Sequence, residues 1–150
     1  MSVTIRRLGT DDVALLRMLA FEDADFDIDG RGKPKPPLEP EETREYLADP
    51  SVLHWVAEEG EQVLGHLHCQ IVRKHAGEAK ELLLYEIGVR AHARRRGVGQ
   101  ALLGEMFTWM KRHDVDEVWV LADNPGATAF YEACLFEIAP EAPVYLTRRL

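Results

Sequence analysis

A short run of arginines and glycines has the residue types that bind an anion. The run comprises Arg94, Arg95, Arg96, Gly97, Val98 and Gly99, and it follows the nearly continuous apolar stretch LLLYEIGV at residues 82–89. Glycines let the backbone turn tightly, so several N–H groups can point into one concavity, and the start of a helix adds partial positive charge. The sequence therefore predicts a phosphate-binding loop between a buried strand and a helix.

Other interpretations of this run stay open. Its spacing matches neither GxxxxGK[ST] nor GxGxxG, which argues against loops that bind nucleoside triphosphates or dinucleotides. A basic turn that caps a helix would use the same residues, and a nucleic-acid-binding patch would use the run from Arg90 to Arg96. The chain has 26 Asp and Glu residues against 18 Lys and Arg, a net charge of −8, which argues against general binding of nucleic acids or anionic membranes. Such a chain suits a cationic partner.

Two groups of polar residues match metal sites only in part. The pattern D-x-D-x-D-G at residues 25–30 resembles the first half of an EF-hand loop, but Pro36 occupies the position that requires a bidentate glutamate. The six histidines lack a metal-binding spacing. His66 and His68 share one face of a predicted strand, so a weak site stays open, although exposed histidines are the expectation. We therefore predict no metal site.

Hydrophobic periodicity predicts the elements that position these residues. We expect strands at residues 3–8, 52–58, 62–72, 82–89, 118–122, 136–138 and 144–148, and helices at residues 10–21, 40–48, 98–113 and 127–134. Residues 22–40 read as a loop because acidic residues, glycines and prolines interrupt the periodicity. The order predicts a mixed α/β sandwich.

Length and composition fit one globular domain. The 150 residues, 46% of them apolar and 29% charged, predict a single domain over residues 1–150. No apolar run approaches the roughly 18 residues of a membrane span, and the first ten residues lack a secretion signal, so we expect a cytoplasmic protein. Cys69 and Cys134 lie far apart in apolar surroundings and are predicted to be core residues.

Two segments carry a resemblance to a known family. The strand at residues 82–89 followed by Arg94-x-x-Gly97-x-Gly99 resembles the acyl-CoA pyrophosphate signature, [QR]-x-x-G-x-[GA], of the GNAT N-acetyltransferase superfamily. A second segment resembles that family's N-x-x-A-x-x-[FL]-Y-x-x-x-x-F pattern, in which Leu135 replaces the glycine that usually precedes the last position. Its matching residues are Asn124, Ala127, Phe130, Tyr131 and Phe136.

The resemblance covers nearly the whole element order and implies a GNAT fold. That fold has a mixed central sheet, here of about six to seven strands, with flanking helices and a splayed strand pair at the CoA site. Acetyl-CoA is implied as cosubstrate, without a metal. Gly88 would supply the bulge at which the strand splays, and the backbone of Ile87 and Val89 would pair with the pantetheine arm and hold the thioester carbonyl. The residues implied for the pyrophosphate are Arg94, Arg95, Arg96, Gly97, Val98, Gly99, Gln100 and Ala101, with Asn124 as a further cofactor contact.

The resemblance also implies direct transfer to a primary amine in a ternary complex. An alkyl amine is mostly protonated at pH 7, so a carboxylate, acting directly or through water, is a natural general base. Glu86 is the leading candidate and Asp123 the second, although a solvent-facing strand carboxylate and a capping residue are the alternatives. Tyr131 resembles the general acid that protonates the departing CoA thiolate, whereas a buried aromatic often belongs only to the core.

A narrower likeness concerns the acceptor. The stretch YEIGVRAHARRRGVGQALL at residues 85–103 is similar to GNAT-type aminoglycoside 3-N-acetyltransferases, which implies a cationic amine such as an aminoglycoside. A protein amine, a polyamine and a non-catalytic acyl-CoA-binding module stay open, and so does a homodimer. We expect no nucleic-acid or membrane partner. Acidic residues between the first two helices would attract the acceptor. They are Glu22, Asp23, Asp25, Asp27 and Asp29.

Overall fold

The computed structural model describes residues 2–26 and 35–150. They fall into two compact units, Met1–Val120 and Leu121–Leu150. The first unit contains strands β1 (Thr4–Arg7), β2 (Val52–Glu59), β3 (Gln62–Arg73), β4 (Lys80–Val89) and β5 (Val118–Val120), and helices α1 (Val13–Phe21), α2 (Asp23–Phe26), α3 (Pro40–Ala48) and α4 (Val98–Arg112). The second unit contains helix α5 (Pro125–Ala133).

The five strands form one mixed sheet in the order β1-β2-β3-β4-β5. The first four strands pair antiparallel, and β4 pairs parallel to β5. Gly60, with φ of 62°, lies in the tight turn between β2 and β3, where a left-handed residue is required. Helix α4 connects β4 to β5, as a parallel pair requires a crossover.

The prediction of six to seven strands is wrong for the described residues, because five strands form. Residues 136–138 and 144–148 are irregular. Leu135 has φ of 70°, which turns the chain out of an extended path, and Val144, Tyr145 and Leu146 are 80%, 73% and 83% exposed. An alternating pattern stabilises a strand only when a neighbouring strand supplies hydrogen bonds and burial.

The stretch at residues 22–40 also differs from its prediction as loop, because its start forms the short helix α2. The second half of the EF-hand-like pattern, with Asp27, Asp29 and Gly30, lies outside the described residues. No helix in the ranges that the structure describes has both the length and the apolar character needed to cross a membrane.

Helices cover both faces of the sheet, with different chemistry on each. Helix α4 packs on an apolar face, where the Cys69 Sγ lies 3.6 Å from the Met106 Sδ. A Cβ on Gly65 would lie 3.3 Å from Leu102 Cδ1, so glycine lets α4 approach closely. The other face carries an apolar cluster against α1 and α2. This cluster comprises Leu8, Leu19, Phe26, Val56 and Val63. Polar residues lie beside this apolar cluster on the same face.

Candidate active site

The pairing of β4 with β5 covers only the first half of β4. Their parallel pairing covers residues 82–84 of β4 and 118–120 of β5, after which β5 ends while β4 continues to Val89. The second half of β4 therefore has β3 on one side and no strand of the described sheet on the other. An edge of this kind exposes backbone N–H and C=O groups that an extended ligand can pair with.

A β-bulge in β4 decides which backbone groups face this open edge. His68 pairs with Glu86 and Cys69 with Leu84, so Tyr85 is the extra residue. Before the bulge, the Leu82 N–H points to β5, where it donates to the Glu117 carbonyl. After it, the Arg90 N–H points to β3 and donates to the Leu64 carbonyl. Because these directions alternate along a strand, the backbone groups of Ile87 and Val89 face the open edge.

The predicted bulge at Gly88 is therefore wrong in its position. Gly88 pairs regularly with His66, and a bulge at Tyr85 changes the strand's phase instead. The glycine has a different use: a Cβ there would lie 2.8 Å from Phe26 Cβ and 3.3 Å from His66 Nε2. Gly88 thus lets helix α2 lie directly against the sheet.

The predicted anion-binding loop joins this edge to helix α4. Arg95 and Gly97 both have positive φ, 64° and 80°, so the loop makes two left-handed turns before α4 begins at Val98. No side chain caps the start of α4. The first N–H groups of a helix have no intrahelical acceptor, so those of Val98, Gly99 and Gln100 are available to an anion. The Ala101 N–H is not, because it donates to the Gly97 carbonyl at 3.0 Å.

The arginine side chains of the loop have protein partners. Arg96 Nη2 lies 2.6 Å from Oε2 of Glu59, the last residue of β2, and Arg94 Nε donates to the Val89 carbonyl at 3.2 Å. Arg95 is exposed. The loop geometry therefore assigns anion binding mainly to backbone groups, with Arg95 and a released Arg96 as additional positive charges.

Arg90, which the sequence indicated only as part of a basic run, fixes helix α2 against the sheet. Its Nη1 lies 3.1 Å from Asp25 Oδ2, its Nη2 contacts the Glu22 carboxylate, and its Cζ lies 4.5 Å from the Phe26 ring centroid. Its Nε donates to the Val63 carbonyl. Its position directly after a buried strand was the signal in the sequence. A guanidinium buried there requires acidic or carbonyl partners, so its position predicts such contacts.

These contacts correct the interpretation of the acidic segment. Glu22 and Asp25 bind Arg90 and hold α2, so they are not free to attract an acceptor. Asp27 and Asp29 lie outside the described residues. Asp23, the remaining described carboxylate of the five, lies beside His66 and Glu86 instead.

Three histidines form a stack on the polar face of the sheet. His54 lies between His66 and His68, with ring centroids 5.4 and 5.6 Å apart, and its Nδ1 lies 2.8 Å from the Tyr46 hydroxyl. His54 and His66 are buried, which makes the expectation of exposed strand histidines wrong for His66, since α2 and α3 cover this face. Burial lowers the pKa of His66 to about 4 and also lowers those of His54 and His68.

Glu86 lies at the edge of this stack, one residue beyond the bulge. Its Oε1 is 3.9 Å from His66 Nε2, and 39% of its side chain is exposed. Burial raises the pKa of Tyr46, and the negative charge of Glu86 raises it further. A half-exposed carboxylate that adjoins neutral imidazoles can exchange protons with a bound amine.

The second unit holds the other predicted site residues. Asn124 caps α5, because its Oδ1 accepts from the Ala127 N–H at 2.8 Å, and its Nδ2 donates to Asp123 Oδ1 at 3.1 Å. Tyr131 is 8% exposed and contacts the rings of Phe130 and Phe136. The proposed roles of Asp123, Asn124 and Tyr131 toward substrates stay predictions.

Comparison with known proteins agrees with this architecture. The model for the "Acetyltransferase (GNAT) family" matches residues 16–136. The rat (Rattus norvegicus) protein N-acetyltransferase 8B is 36% identical over 61 residues, which are 41% of this chain and 28% of that protein. The chain thus matches well under a third of that relative's length.

Solved structures share the fold at low identity. An aminoglycoside acetyltransferase, meta-AAC0020, from an uncultured soil metagenomic sample has a TM-score of 0.82 at 19% identity, covering 99% of this chain and 96% of that one. A second, HMB0005, from a similar source has 0.81 at 22%, covering 100% and 99%. The ribosomal-protein-alanine N-acetyltransferase of Brucella melitensis biovar Abortus 2308 has 0.75 at 15%, covering 99% of each chain.

The family match spans more than half of the chain, including β4, the arginine–glycine loop, α4 and α5. The resemblance predicted from the Arg94-x-x-Gly97-x-Gly99 and Asn124–Tyr131 segments is therefore confirmed. This chain belongs to the GNAT acetyltransferase family.

Proposed function

We propose that this protein is an acetyl-CoA-dependent N-acetyltransferase that transfers the acetyl group directly to a primary amine. The observation that carries the proposal is the continuity of three features: the open edge of β4, the loop with two left-handed residues, and the uncapped start of α4. An extended pantetheine arm pairs with an exposed strand edge, and a pyrophosphate fits a helix N-terminus.

In this proposal the backbone binds the cosubstrate. The groups of Ile87 and Val89 pair with the pantetheine amides and hold the thioester carbonyl oxygen, and the N–H groups of residues 98–100 bind the pyrophosphate. Arg94 already donates to the Val89 carbonyl, which leaves the N–H of that residue for the ligand. Backbone donors of this kind are fixed before the ligand arrives, so they stabilise developing negative charge at little reorganisation cost.

Glu86 acts as the general base in this proposal. It removes a proton from the acceptor's ammonium group, and the free amine attacks the thioester carbonyl carbon. The new C–N bond forms, the C–S bond breaks, and the CoA thiolate takes a proton that we assign to Tyr131, which recovers one from the nitrogen of the new amide. The products are an acetamide, CoA and one proton. The carboxylate's half-exposed position beside His66 supports this role, because the acceptor must reach it from solvent.

The proposed acceptor is a cationic amine, with an aminoglycoside preferred and a polyamine or a protein amine as alternatives. The net charge of −8 and the adjacent carboxylates of Asp23 and Glu86 support a cationic acceptor. The structural neighbours include both aminoglycoside acetyltransferases and a ribosomal-protein-alanine N-acetyltransferase.

A panel of acceptors tests the proposal. The purified protein is mixed with acetyl-CoA and an aminoglycoside, a polyamine, a basic peptide or a neutral amine, and thiol release is measured against Glu86→Gln. We expect release with cationic amines and strong loss in the variant. Acetyl-CoA binding without release for every amine would instead support a non-catalytic binding module.

A further inference from the structure

Three side chains from three elements bring metal-ligating atoms together. They are Asp23 on α2, His66 on β3 and Glu86 on β4, and their ligand atoms all lie within 4.8 Å of one another. One imidazole and two carboxylates are a donor set that divalent transition metals bind, as with Zn²⁺ in open sites that keep a water ligand. The fold brings these residues together, since they are 43 and 20 positions apart in the chain.

The arrangement of α2 makes Asp23 available. Arg90 binds Glu22 and Asp25, on either side of Asp23 in the chain, and this pins the helix with Asp23 beside His66. Arg90 thus pairs with two carboxylates, and Asp23 and Glu86 add two more beside His66. The excess negative charge favours a cation at this place, because Arg90 compensates only part of it.

His66 brings a buried ring nitrogen to the two carboxylates. It is 8% exposed, and its Nε2, which lies 3.9 Å from the Glu86 carboxylate, is the nitrogen that faces the cluster. That distance is too long for a direct hydrogen bond. A cation between the carboxylates would bind the lone pair of Nε2, and Nδ1 would then carry the proton of the ring.

We propose that Asp23, His66 and Glu86 form a three-ligand site for a divalent transition-metal ion of the Zn²⁺ class, with water at the remaining position. Ligand atoms of a tetrahedral site with bonds of about 2 Å lie roughly 3.3 Å apart, so binding must draw the two carboxylates inward. Both carboxylates are only partly buried. The site therefore binds a metal only after a small rearrangement, which favours reversible binding.

The site has a consequence for catalysis that rests on the proposed function. A metal on Glu86 withdraws the proposed general base and places positive charge where the ammonium group of the acceptor would lie. The metal is thus expected to inhibit competitively against the amine, and not against acetyl-CoA, whose proposed contacts are on the backbone of β4 and α4.

Metal binding is tested directly, without turnover. The chelator-treated protein is titrated with Zn²⁺ by calorimetry and with Co²⁺ by visible absorption. We expect one equivalent to bind, and Co²⁺ bands that indicate nitrogen and oxygen ligands in a site of low symmetry. Glu86→Gln and Asp23→Asn change partly exposed side chains and should fold; each should weaken binding at least tenfold. His66→Gln should abolish binding.

Two control variants separate this site from non-specific binding. His68→Gln removes a histidine of the same stack that lies outside the cluster, and His92→Gln removes an exposed histidine. Both should bind the metal within twofold of the wild type. Absence of binding at millimolar metal, or equal binding in Glu86→Gln and Asp23→Asn, would overturn the proposal. Metal binding in a protein that acetylates no amine would support this site while rejecting the proposed function.

Discussion

The two faces of the sheet differ in chemistry although the same strands build them. Leu67 and Cys69 point to the α4 face and are fully buried among apolar side chains, whereas His66 and His68, the residues directly before them, point to the opposite face with Glu86. The α4 face gains stability from close packing. The other face buries imidazole rings, which is energetically unfavourable, and it places polar groups beside the half-exposed carboxylate of Glu86. One face thus stabilises the fold, and the other holds the residues that we propose for the chemistry.

The largest effect is expected from the carboxylate of the polar face. Glu86→Gln keeps the side chain's shape but removes the proposed base, so kcat should fall on the order of 10²- to 10⁴-fold. The free energy of unfolding should change little, because the side chain is 39% exposed. Stopped-flow or steady-state assays of thiol release measure kcat, and chemical denaturation measures the free energy of unfolding. Wild-type turnover in this variant would mean that Asp123 or water, and not Glu86, is the base.

The apolar face should respond in the opposite way. Leu67→Ala removes a fully buried side chain and leaves a cavity, so the free energy of unfolding should fall by about 2–5 kcal/mol, with kcat nearly unchanged in the folded protein. Leu146→Ala, at an 83% exposed position, is the matched control and should change neither quantity. A large loss of kcat in folded Leu67→Ala would show that the two faces are not separable.

Lowering the pH should reduce the contribution of the polar face, and not that of the apolar face, to the free energy of unfolding. Burial, with a further contribution from the nearby His68 and Arg90, lowers the pKa of His66 from 6.5 in the unfolded chain to about 4. Glu86, Asp23 and His54 also lie beside this ring. The unfolded chain binds the proton first as pH falls, so the neutral ring's contribution is complete above pH 6.5 and is lost toward pH 4. Between pH 7 and 5 the loss is about 2 kcal/mol for His66.

Denaturation at several pH values in the presence of a chelator measures this loss. His66→Gln should show a shallower dependence on pH, whereas His113→Gln, at an exposed position, should follow the wild type. An identical pH dependence in wild type and His66→Gln would mean that the ring is accessible to protons in the native state.

The smallest effect concerns the start of α4, where the apolar face ends in the anion-binding loop. Gly97→Val places a β-branched residue at φ of 80°, a strain of roughly 1–2 kcal/mol, so affinity for acetyl-CoA should fall about tenfold. Gly104→Ala, in the middle of α4 with open space around it, should leave affinity unchanged and raise stability slightly. Equal affinities by calorimetry would reject the placement of the pyrophosphate.

The sequence predicted those elements that local pattern determines. The run LLLYEIGV predicted β4, and the apolar face of residues 98–113 predicted α4, which ends one residue earlier, at Arg112. The glycines of the loop indicated its left-handed turn at Gly97. Helix α2 was missed because four residues form no periodicity, and Arg90, 64 positions after Phe26, supplies the contacts that hold it. Its existence is a tertiary effect.

Three further differences have the same origin. The bulge falls at Tyr85, since register between β3 and β4 is decided by pairing and not by the nearest glycine. His66 is buried because α2 covers it, which no pattern within β3 reveals. The alternating residues 144–148 form no strand, because they find no ladder partner among the described residues. Leu135 shows the reverse: it adopts the φ of 70° typical of glycine because the end of α5 requires it.

Amide hydrogen exchange tests the central claim most directly, namely that acetyl-CoA lies along the open edge of β4 with its pyrophosphate at the start of α4. Exchange is measured with and without saturating acetyl-CoA. The account predicts slower exchange at Ile87, Val89 and residues 98–100, with little change on the hydrogen-bonded amides of β3. Unchanged exchange at these five amides, with protection elsewhere, would contradict it.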